Sequence, residues 1–97
     1  MSMLDDMKTV LRVSNPAFDV EVEMLIEAAK ADMVRVGIEP AHIDSDDPLV
    51  KMAVACYCKS RFGFDEPHAE QYEAAYRQTV ADMLNSSSYN IAAEAGE

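Results

Sequence analysis

Tryptophan is absent from this chain, and cysteine (2), glycine (3) and proline (4) are all scarce. Few breakers beside abundant Ala and 7 Met point to helix, because Ala and unbranched side chains lose little freedom there. No apolar run approaches the roughly 18–20 residues that cross a bilayer. The first residues, "MSMLDDMKTVLRV", carry acids where a signal peptide needs bases. These features predict a protein made and kept in a reducing cytoplasm. Positive charge is scarce too: 8 basic residues face 18 acidic ones, a formal charge of −10. Affinity for nucleic acid comes largely from bases that neutralise phosphates, so this balance argues against DNA binding and against anionic membranes.

The two cysteines, Cys56 and Cys58, lie in "AVACYCKSRFG" with one residue between them. On a helix, such positions point about 200° apart. They cannot share a zinc ion or form a disulfide without unwinding it. A thioredoxin-like motif needs two intervening residues. Packing is the expected role of both, since buried Cys behaves as a small hydrophobe.

With 97 residues the chain is one domain, and 49% apolar residues exclude a wholly disordered one. Four helical segments are expected. The first, about Met3 to Arg12, has Leu4, Met7, Val10 and Leu11 on one side. Pro16 ends helix at Asn15, and Asp19 is the expected N-cap of the second. There Val22, Leu25, Ile26, Ala29, Met33 and Val36 form one stripe, closed by Gly37 as a left-handed C-cap. "IEPAHIDSDD" reads as loop. Asp47 caps a third helix that starts at Pro48 and runs to about Phe62. Asp65 or Glu66 caps the fourth, whose inner face is Tyr72, Ala75, Tyr76, Thr79 and Met83. The expected fold is all-α: a small bundle of about four helices over residues 1–85, with a mobile acidic C-terminal tail over 86–97.

The third helix is apolar on two sides. Leu49, Met52, Ala53, Cys56 and Tyr57 form one face. Val50, Val54, Cys58 and Phe62 form a second ridge, with Lys51, Lys59 and Arg61 between and beside it. Pro48 to Phe64 holds those three bases and no acid, so the rest of the chain carries −13. A helix apolar on two sides is either central in its own bundle or holds a partner. The ridge and its bases are therefore the candidate interface with a neighbouring subunit or another protein.

No residues converge on catalysis. His68 is expected on the core side at the start of the fourth helix, and His42 lies in a loop without an evident acid–base partner. "DSDDP" lacks the glycine and glutamate of a calcium loop, and helix capping explains its acids. No phosphate-binding glycine motif is present. No metal or cofactor is expected. Tyr89 and Ile91, on either side of Asn90, place two apolar side chains in an otherwise polar tail, as an incidental pair or as a docking element that orders on binding.

The order "LDDMKTVLRV", "FDVEVEMLIEAAKADM", "DPLVKMAVACYCKSRFG" and "YEAAYRQTVADMLNSSSY" resembles the small helical head–tail connector (adaptor) proteins of tailed bacteriophages. The likeness spans about Leu4 to Tyr89, although "RFGFD" stands where relatives are expected to carry a Tyr. The resemblance implies a structural protein of the virion neck. It implies identical chains closing into a ring beneath the portal, with DNA passing through the channel without specific binding and a platform for the next neck or tail protein. It also implies that residues 89–91 dock on the portal. The alternative is a small acidic regulatory or inhibitor module, such as a DNA mimic, that binds one protein partner.

Overall fold

The computed structural model describes residues 3–43, 47–62 and 67–85, which form helices and no strand. In chain order these are α1 (Met3–Leu11), a 3-10 turn (Pro16–Phe18), α2 (Asp19–Val36), α3 (Pro40–Ile43), α4 (Pro48–Arg61) and α5 (Ala69–Leu84). All four expected helices are present. The fifth, α3, lies where the sequence reads as loop; a single turn is too short to leave a periodic signature, and Pro40 supplies its start.

Helix ends follow local chemistry. Asn15 is extended before Pro16, and its side chain accepts the Ala17 N–H at 2.9 Å. The chain therefore turns through a 3-10 segment, and Asp19 is the first residue of α2 rather than its cap. Asp19 instead meets Lys8 Nζ at 2.6 Å and ties α2 to α1. Asp47 caps α4 as expected, accepting the Leu49 N–H at 2.8 Å. The C-termini of α1 and α2 close alike. Val13 N donates to Lys8 O at 3.0 Å, and Ile38 N donates to Met33 O at 2.9 Å. Both closures need a left-handed residue, which is Gly37 (φ 114°) in α2 and Arg12 (φ 60°) in α1.

Helix α4 is the centre of the bundle and packs against α1, α2 and α5. Met7 comes from α1, and Val22, Ile26, Ala29 and Met33 come from α2; all are buried. Opposite them α4 buries Val50, Ala53, Val54 and Cys58. Helix α5 adds Tyr76, Val80 and Met83. Two details of α5 differ from the expected face: Ala75 is exposed, and Val80 takes the inner position.

Candidate interaction surfaces

The ridge expected to be left for a partner is instead the heart of the protomer. Val50, Val54 and Cys58 have no exposed surface, and half-buried Phe62 sets its ring edge-on to Phe18 at 5.6 Å. Burial also pushes the Cys58 thiol up to about 11, which leaves it protonated and unreactive. This corrects the expectation that these side chains are presented outward. Both arcs of α4 are apolar, and periodicity cannot say which is covered when three helices surround the rod. The other arc buries Ala53 as well and leaves Cys56 and Tyr57 half-buried, but opens at its start, where Leu49 is 42% and Met52 57% exposed.

The bases of α4 keep exposed surface while each also touches its own protomer. Lys51 Nζ lies 3.0 Å from Asp6 Oδ2 in α1. Lys59 Nζ sits 5.1 Å from the centre of the Tyr72 ring. The Arg61 guanidinium stacks on Tyr57 at 4.0 Å and faces Glu73 Oε1 at 3.9 Å.

Helix α2 carries a surface the sequence reading missed. Its inner stripe is buried as expected, but Val20, Met24, Ala28, Ala31 and Val34 form a second stripe on the opposite, exposed side. Among the described residues Val20 and Met24 are the most exposed of the large apolar side chains, at 70% and 67%. They stand one turn apart, with exposed Glu21, Glu23 and Glu27 around them. The spacing of this outer stripe was readable at helical period, but interleaved glutamates disguise it as an ordinary solvated face.

A groove of about 460 Å³ opens where the later halves of α2 and α4 meet α5. Its walls are Val36, Tyr57, Tyr76, Val80 and Leu84, and its rim holds three guanidiniums, Arg35, Arg61 and Arg77, beside two carboxylates, Asp32 and Glu73. Tyr57 and Tyr76 pack edge to face at 5.1 Å. The Tyr76 hydroxyl donates to Asp32 Oδ2 at 2.7 Å; Ala29 O, at 3.4 Å, is a distant second acceptor for the one proton. Arg35 Nη2 donates to Asp32 Oδ1 at 2.6 Å, and Arg77 Nη2 donates to Glu73 Oε2 at 2.6 Å. Burial alone would push the Asp32 carboxyl up. The bonds from Arg35 and Tyr76, with the charges of Arg35 and Arg61, outweigh it and hold the group below its ordinary value. Burial first, then the bond to Asp32, drives the Tyr76 phenol far above its own. The groove escaped the sequence reading because its arginines come from three separate helices.

The remaining candidates do not converge. Both cysteines are free thiols, one half-buried and one buried. His68 is exposed rather than core-facing, its ring 6.4 Å from that of Tyr72. His42 Nδ1 lies 4.0 Å from Asp47 Oδ2. Among the described residues no group of three or more His, Cys, Asp or Glu could hold a metal ion, and no helix is long and apolar enough to cross a membrane. Asp65 and Glu66, and Tyr89, Asn90 and Ile91, lie outside the described residues.

No curated protein and no solved structure matches the chain. A comparison with known families does find a match, described as phage connector protein, over residues 3–90. That span takes in every helix, the exposed stripe of α2 and the arginine groove. With the family's pattern running through the core and both surfaces, the chain belongs to the phage connector proteins.

Proposed function

We propose that this chain is a structural subunit of the phage neck. Copies of it close into a ring beneath the portal, extend the DNA channel and give the next neck or tail protein a platform. Membership of the connector family carries this reading. The surface supports it: a closed ring needs two unlike patches on each subunit, and further contacts must meet the portal and the neck. Exposed apolar side chains cluster accordingly on α2 and at the start of α4. A formal charge of −10 suits a channel wall that DNA slides past without sticking.

Co-assembly with the portal of the same phage tests the reading. Sedimentation velocity and electron microscopy should show a ring of this chain seated on the portal. A chain that stays monomeric in the presence of the portal overturns it. A stoichiometric complex with one non-virion protein would favour the regulatory module instead.

A further inference from the structure

The arginine groove and the acidic, apolar tip of α2 are complementary in both charge and polarity. The groove offers aromatic and aliphatic walls beneath Arg35, Arg61 and Arg77. A guanidinium has five N–H donors. Among the described residues, Arg77 donates one hydrogen bond, to Glu73, Arg35 one, to Asp32, and Arg61 one, to Ser60. The side chains of both arginines are over 70% exposed, which leaves their outer donors turned to the surface. The α2 tip offers the converse set: Val20 and Met24 as apolar knobs, with Glu23 and Glu27 as carboxylates beside them. A thioether against aromatic rings is a favourable contact, and bidentate pairing suits arginine to carboxylate.

These two patches cannot meet within one protomer. Met24 and Arg35 belong to the same rigid helix, eleven residues and so about 16 Å apart along its axis. Complementary, unlike patches held apart on one rod match only between molecules, and head-to-tail repetition of such a contact builds a ring or a filament.

We propose that the arginine groove is the socket for a second copy of this chain, and that it receives the neighbour's Met24 with Glu23 and Glu27 against Arg61 and Arg77. The inference rests on the ring reading and assigns the contact that closes it. The Leu49–Met52 patch is then left for the portal or the neck protein.

Charge exchange in the full chain tests it. One variant reverses the socket (Arg61→Glu with Arg77→Glu), and the other reverses the knob (Glu23→Arg with Glu27→Arg). Each alone should raise the concentration needed for assembly on the order of tenfold or more, as like-charge juxtaposition does. Mixed together they should assemble again, because each reversed socket meets a reversed knob. If the wild-type chain forms rings and both variants do so equally well, or if the mixture gains nothing, this contact is refuted and the ring reading stands. If the wild-type chain forms no ring even with its portal, both fall. The knob variant changes only exposed positions, so it decides alone if the socket variant loses its far-ultraviolet helical signal.

Discussion

Replacing Val54 with aspartate separates the two readings of α4 most sharply. Val54 has no exposed surface, and it sits on the central helix, which packs against α1, α2 and α5. Losing a buried valine forfeits about 1.5–3 kcal/mol. The carboxyl that replaces it has two choices. It can ionise in an apolar interior, at a cost of several kcal/mol. It can stay protonated at pH 7, about three units above its ordinary value, which costs roughly 4 kcal/mol. The cheaper route still brings the total to about 6 kcal/mol, against the roughly 5–15 kcal/mol that holds a domain of this size together. Thermal unfolding followed by circular dichroism should show a midpoint lowered by about 25 °C or more, or no cooperative transition at all. The deficit against the wild-type chain should shrink between pH 7 and pH 4, because the carboxyl then protonates at little cost. Met52→Asp, two residues earlier on the exposed arc, should stay within about 0.5 kcal/mol of wild type. A Val54→Asp chain that melts within a few degrees of wild type, yet no longer assembles, would refute the reasoning. It would return the ridge to the surface.

Two further substitutions probe particular joints. Gly37→Ala should cost about 1–2 kcal/mol in urea unfolding, the penalty of a side chain in the left-handed region. The new Cβ would lie 3.6 Å from Leu84, an ordinary contact, so a neutral result would mean that the Schellman closure of α2 is dispensable. Tyr76→Phe should cost about 1.5–3 kcal/mol near neutral pH, by removing a hydrogen bond to a charged group. Asp32 has its pKa lowered by folding, so its contribution is fully present above the ordinary carboxylate value and is lost as pH falls through the folded one. The difference between Tyr76→Phe and wild type should therefore narrow in acid. A gap that stays constant down to pH 2 would show that the hydroxyl stabilises the fold without the carboxylate.

Much of the fold was legible because local signals agreed with one another. Asp47 followed by Pro48, and Gly37 after a buried stripe, mark helix ends whatever surrounds them. The boundary at Asp19 failed for a tertiary reason. The preceding 3-10 turn is capped by Asn15, and the aspartate is pulled toward Lys8 on α1, a partner eleven residues away that no local rule anticipates. His68 failed likewise, since its facing depends on where α5 meets α4.

The misreading of α4 is the more instructive case. Excess apolar surface on one rod has two solutions, a central place in its own bundle or a partner outside it. The sequence supports both equally, and only the count of covering helices decides. Three helices cover α4, so Val50, Val54 and Cys58 of its ridge are spent on the protomer, while Arg61 stays exposed at the rim of the groove. The surplus moves elsewhere. It reappears on α2, whose outer stripe no described helix covers between Val20 and Met24, and there glutamates surround the exposed apolar side chains. Under the proposed ring assembly the two stripes divide the work: the densest apolar ridge holds the protomer together, and the acid-guarded one is offered to a neighbour.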